Sequence, residues 1–216
     1  SLWITGAVPA NLTLNLEVGG DLVVDTAVNG AAGEVIDLGA GPFTAQVSGD
    51  VDLRTAVRTT GAAKLTVGGD LRGRAAPRIG LSDVSSLAGH AALQATHLTL
   101  NVTGDIAANP TASGSAVGQA ASGLSIASEQ LLVTGAGKVW LDNLSTAALT
   151  IESLTAGTDG GQAGDVVLRS LASAITLSGH VQAAGALGSI TFDAAGSGGS
   201  LTVVDGVMLQ ANTVIL

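Results

Sequence analysis

The feature that most constrains this chain is a corner phrase that returns five times: an aliphatic residue, any residue, Gly, Asp or His, and another aliphatic residue. It stands as Val18-Gly19-Gly20-Asp21-Leu22, Val47-Ser48-Gly49-Asp50-Val51, Val67-Gly68-Gly69-Asp70-Leu71, Val102-Thr103-Gly104-Asp105-Ile106 and Leu177-Ser178-Gly179-His180-Val181. Alternating runs such as Leu12-Thr13-Leu14-Asn15-Leu16 and Leu98-Thr99-Leu100-Asn101-Val102 precede the glycine, and Leu22-Val23-Val24 or Val51-Asp52-Leu53 follows it. Alternation with period two is the mark of a half-buried strand, so each unit reads as strand, tight corner, strand. Recurrence of one such unit at variable intervals predicts a solenoid whose loops differ from coil to coil. The corner itself, at Gly20, Asp21, Gly49, Asp50, Gly69, Asp70, Gly104, Asp105, Gly179 and His180, is expected to rest on two properties. Gly adopts positive φ without steric cost, and a short Asp carboxylate bonds the backbone of its own turn.

Composition narrows the solenoid to one kind. The 31 glycines and the β-branched residues are spread throughout, no long run keeps helical spacing, and only 2% of residues are aromatic. A parallel β-helix stacks equivalent residues about 4.8 Å apart, so Val, Leu and Ile form ladders in a narrow interior where large rings seldom fit. The expected fold is therefore an all-β parallel β-helix of roughly eight to ten coils in one domain spanning residues 1–216. Weaker corners are expected at Gly135-Ala136-Gly137, near Gly160-Gly161 and at Asp205-Gly206, and loop excursions at 109–123 and 158–164. Both ends read as interrupted strands, so the chain is expected to be a piece of something longer.

The phrases Leu-Thr-Leu and Val-x-Gly-Asp-Leu, as in Leu98-Thr99-Leu100-Asn101-Val102-Thr103-Gly104-Asp105-Ile106, resemble the coils of filamentous-haemagglutinin-type adhesins of Gram-negative bacteria. Members of that family form long right-handed parallel β-helices, are secreted to the cell surface, and mediate attachment to host cells, to surfaces or to one another. The resemblance implies an extracellular, structural role in cell adhesion or biofilm. This chain does not keep the family's more regular short repeat.

Charge and chemistry delimit the partners. Eight Lys and Arg against 17 Asp and Glu give a formal charge of −9, which disfavours nucleic acid and anionic membranes. No segment is apolar enough for membrane insertion, and the absence of Cys removes disulfides and thiolate metal sites. Arg54, Arg58, Lys64, Arg72, Arg74 and Arg78 are six of the eight cations. They either form a patch for an acidic glycan or neutralise nearby acids on a solvated surface. The corner acids either bond their own turns or, stacked in register, hold a cation such as Ca²⁺. Gly160-Gly161-Gln162-Ala163-Gly164-Asp165-Val166-Val167-Leu168 approaches a Ca²⁺-binding nonapeptide, but no tandem copy follows it. No cofactor is otherwise expected. Catalytic signatures are missing, and His90, His97 and His180 lack metal-ligand spacing. The best group for a polysaccharide lyase or hydrolase is Asp50, Asp52, Arg54, Asp70 and Arg72, a generic charge cluster. The expectation is a non-enzymatic shaft whose partners are neighbouring β-helix coils and host or matrix glycans. A fibre subunit that assembles end to end and a polysaccharide-active enzyme are the alternatives.

Overall fold

A computed structural model describes residues 1–5, 8, 10–26, 35–75, 89–108, 123–135, 137–157, 164–171, 173–185, 187–194 and 199–216. Among them there is no α-helix, and the chain winds as a parallel β-helix. In the early coils it has three faces. The broad face carries Leu14–Val18, Phe43–Val47, Ala62–Val67, His97–Val102 and Gln130–Gly135. After each Gly-Asp corner comes the corner face, with Leu22–Val24, Val51–Leu53, Leu71–Gly73 and Ile106–Ala108. A short face closes the coil with Ile36–Asp37, Val57–Arg58, Leu93–Gln94 and Leu124–Ala127. Leu2–Ile4 begins the corner face, and Val139–Asn143, Val166–Ser170, Ser189–Ala194 and Thr213–Ile215 continue it, nine strands in line.

Period two in the sequence becomes inside and outside in the coil. Along the corner face, Leu22, Val51, Leu71, Ile106, Val139, Val166 and Ile190 stand in register, all fully buried. Burial of one such side chain is worth about 1.5–3 kcal/mol, so the ladder is the main source of stability. The two phenylalanines are inside as well, Phe43 at 1% exposure and Phe192 at 4%. Phe43 fits because its partner in the following coil is Ala63. The narrow interior admits a ring where its neighbour is reduced to a methyl group. Trp3, by contrast, is 54% exposed on the outside of the corner face.

The outline of the coil changes midway. Val139–Asn143 pairs with Ile106 through Val139 and with Leu124–Ile126 through Leu141–Asn143, so one strand spans the corner and short faces. The broad face changes one strand later. Leu149–Ala156 meets Gln130–Gly135 across a bulge, Leu131 pairing with Ile151 and Leu132 with Ser153, which leaves Glu152 as the extra residue. Its following neighbours are two strands, Ile175–Leu177 and Val181–Ala183, which in turn pair with Leu201–Val203 and Leu209–Gln210. The later coils thus merge the corner and short faces, keep the corner beside the broad face, and add a break within the broad face.

Candidate functional site

The corner is where the sequence pattern becomes a specific contact. Asp21 Oδ1 accepts the backbone N–H of Asp50 at 3.1 Å, Asp50 Oδ1 that of Asp70 at 2.8 Å, and Asp70 Oδ1 that of Asp105 at 2.9 Å. Asp105 Oδ1 accepts the N–H of Lys138 at 2.8 Å. The expectation that each Asp bonds its own turn is therefore corrected: each carboxylate bonds the next coil, because parallel stacking places the following corner's amide directly over it. Glycine also has a different reason from the one expected. None of Gly20, Gly49, Gly69, Gly104 and Gly179 has positive φ. A Cβ on Gly49, Gly69, Gly104 or Gly137 would instead collide with Oδ1 of the Asp in the preceding coil. The glycine is the socket and the carboxylate fills it.

The ladder runs beyond the acids that the phrase selects. Register places Lys138 over Asp105, Asp165 over Lys138, and Ser189 over Asp165. Asp165 Oδ1 accepts from the N–H and Oγ of Ser189 at 3.2 and 2.8 Å, and its Oδ2 lies 3.9 Å from Lys138 Nζ. Each of these positions follows a glycine and precedes an aliphatic residue: Gly137-Lys138-Val139, Gly164-Asp165-Val166 and Gly188-Ser189-Ile190. A search for Gly, any residue, aliphatic finds all three; the fuller phrase passes over Lys138 and Ser189 because they are neither Asp nor His, and over Asp165 because Gln162 stands where it asks for an aliphatic residue. Gly157 N–H bonds Gly137 O at 3.1 Å, and Gly164 N–H bonds Ala184 O at 2.9 Å. Gly157 has φ +75, and a Cβ there would stand 2.7 Å from Gly164 N, so glycine is required on both counts. Residues 158–163 of the expected excursion, including the first part of the nonapeptide, lie outside the described residues, as do 109–122 and Arg78.

His180 is not in the same line. Gly179 and His180 occupy the break in the broad face, where Leu154 N–H bonds His180 O at 3.1 Å, so the expected equivalence to the Asp corners is corrected. The side chain nonetheless performs the same act: Nδ1 accepts the N–H of Met208 at 3.1 Å. The turn at Asp205-Gly206 in the following coil is present, with Gly206 at φ +83.

The cations are distributed over different faces. Arg54 bonds Asp52 at 2.7 Å, lies 3.5 Å from Asp25, and covers the Trp3 ring at 5.7 Å from its centroid. The hydrogen bond to Asp52 raises the Arg54 guanidinium above its ordinary value. Arg72 pairs with Asp70 on the corner face, and Arg58 lies 3.9 Å from Asp37 on the short face. Lys64 projects from the broad face between Thr44 and Thr99, and the Arg74 carbonyl accepts from Ser125 N and Oγ. Lys64 and Arg74 make no ion pair among the described residues. The coil brings Arg54 and Arg72 to one face, and sets Arg58 and Lys64 on the other two.

A pair with a buried carboxylate and a partly exposed guanidinium escaped sequence reasoning altogether. Asp142, 1% exposed, receives two hydrogen bonds from Arg169, Nε to Oδ1 and Nη2 to Oδ2, both at 2.7 Å. That bonding, first, raises the Arg169 guanidinium, against a smaller loss from burial. The two residues are in register only because the coil between them is one rung, which variable coil length conceals.

One groove, of about 480 Å³, crosses five coils of the broad face beside the corner. Its floor is the register row Gln46, Thr66, Asn101, Thr134 and Thr155. None of its lining residues is ionisable or aromatic. Among the described residues no group of three or more His, Asp or Glu side chains could hold a metal ion. The acids of the Asp50, Asp52, Arg54, Asp70 and Arg72 cluster are engaged: Asp50 by the next coil's amide, Asp52 by Arg54, Asp70 by Arg72 and by Asp105 N–H.

The fold and its carboxylate ladder define the class, a parallel β-helix protein. Beyond that class, the chain matches no family model, no curated protein and no solved structure.

Proposed function

We propose that this β-helix is a shaft segment of a secreted bacterial surface or matrix protein, a stiff spacer that presents binding modules away from the cell. The observation that carries this reading is the axial ladder. From Asp21 to Ser189 nearly every rung of one edge hands a side-chain acceptor to the next, parallel to continuous interstrand hydrogen bonding. Contacts of this kind connect only neighbouring coils, so their natural use is to resist bending and extension along the axis. The side chains of the best acidic cluster are spent on this stacking and on ion pairs, which favours a structural role over a lyase or hydrolase.

An end-to-end fibre is the second reading, since parallel strands stacked along one axis can in principle continue from one molecule to the next. The first and last coils differ in outline. The first has one broad-face strand, Leu14–Val18, whereas the last has two, Leu201–Val203 and Leu209–Gln210.

Pulling the chain along its axis in a force spectrometer tests the proposal. The expected trace releases successive coils against sustained resistance, and extension as a soft spring would overturn it. Turnover of an acidic polysaccharide that is lost in Asp50→Asn would also overturn it, in favour of an enzyme. Concentration-dependent growth of linear polymers in sedimentation would favour the fibre.

A further inference from the structure

We propose that the corner at His180 is a pH-responsive joint between the last two coils. His180 Nδ1 accepts the backbone N–H of Met208 at 3.1 Å. An imidazole accepts through Nδ1 only when that nitrogen is bare, which requires the neutral ring with its proton on Nε2. Protonation places an N–H against an N–H, and the Met208 amide loses its acceptor. Histidine is the side chain that makes this change of charge between pH 5 and 8. The Asp corners make the same axial bond through carboxylate oxygens. One molecule therefore makes the same axial contact with carboxylates and, at one break, with an imidazole.

The surroundings localise the effect. On the preceding coil the charged group at this break is Glu152, the bulge residue whose carbonyl underlies Gly179. On the following coil it is Asp205, in the turn that leads to Met208. Ser189–Ala194, in contact with Val181–Ala183, carries Asp193, which acts on Arg169. All three are carboxylates, so they do not oppose the imidazolium. What protonation removes is the acceptor. The flanking backbone bonds, Val181 N–H to Met208 O at 3.0 Å and Leu154 N–H to His180 O at 3.1 Å, do not titrate. Acid thus releases the Met208 amide alone, while Val204 N–H to Leu177 O at 2.9 Å and Val181 N–H to Met208 O keep the turn in place.

Amide hydrogen exchange on the full chain, followed by NMR at pH 5.0 and 7.5 and corrected for intrinsic rates, tests this. Protection of the Met208 amide is expected to fall about fivefold at the lower pH, the factor that corresponds to one ordinary hydrogen bond. The Asp70 and Asp105 amides should keep theirs. In His180→Asp, which supplies a permanent acceptor, Met208 should be equally protected at both values. Unchanged protection in the parent chain would overturn the proposal, as would an equal loss in His180→Asp, because the pH effect would then arise elsewhere.

Discussion

The coils of residues 14–108 and those of residues 139–216 solve the same stacking problem with different chemistry. In the first set a Gly socket takes the carboxylate of the preceding coil, corner after corner, and the three faces stay distinct. In the second, corner and short faces merge into single strands, and the axial contacts pass to Lys138, Asp165, Ser189 and His180. The merged strands also carry a charge pair, Asp142 with Arg169, that has no counterpart at that depth among the earlier ion pairs. The difference teaches that the axial acceptor is the recurring contact of these coils, and that its chemical identity is exchangeable wherever the backbone supplies an amide at the next rung. Uniform corners give uniform faces, and where the outline changes the acceptors change with it.

The largest effect should come from the merged coils. Arg169→Met leaves the Asp142 carboxylate buried and unpaired, and urea denaturation should show a loss of about 3–5 kcal/mol. Replacing both partners, Asp142→Leu with Arg169→Met, should recover most of it. If the single change costs less than 1 kcal/mol, the pair is ornamental and the two regions are more alike than described. Hydrogen bonding raises the Arg169 proton affinity, so its contribution is present below the ordinary guanidinium value and is lost only as pH rises through the raised one. Stability from this pair should accordingly be flat between pH 5 and 8, unlike the His180 contact.

The next effect belongs to the early coils. In Gly69→Ala the new methyl group meets Asp50 Oδ1, and its remaining close contacts, Asp50 Cγ and N, are at 3.1 Å. A loss of about 1–3 kcal/mol is expected from such overpacking. Because the obstacle is chiefly a side-chain atom, adding Asp50→Ala should restore about 1 kcal/mol in a double-mutant cycle. Gly19→Ala, with open space around its Cβ, should stay within about 0.5 kcal/mol of the parent. Equal effects at positions 19 and 69 would refute the socket.

The smallest of the three changes is Asp70→Ala. It deprives the Asp105 N–H of its acceptor at an exposed edge that water reaches, so about 1 kcal/mol should be lost, with faster amide exchange at Asp105 and little change at Ser189. Spread of the exchange effect into residues 139–216 would show that the two sets of coils unfold as one unit.

Much of the architecture could be read from residues in sequence order. Alternation in Leu98-Thr99-Leu100-Asn101-Val102 foretold a strand with Leu98, Leu100 and Val102 inside, and all three are buried. Repetition of the corner phrase foretold parallel coils, and four of the five corners stand in one line. The fifth failed because a local phrase records the shape of a turn and not the rung on which it stacks. Gly179 and His180 have the right residues in a different break.

Side-chain size, period two and the recurring glycine thus determined by themselves that this chain would coil in parallel strands around an aliphatic interior, since those are properties of single strands and turns. Only the tertiary structure decided which residue each corner meets. Coil length varies, so register between coils is not encoded at any constant spacing, and it is set by packing and hydrogen bonding along the axis. That register turned the glycine into a socket, aimed each carboxylate at the following coil, brought Arg169 onto Asp142, and dispersed the cations of one sequence segment over three faces.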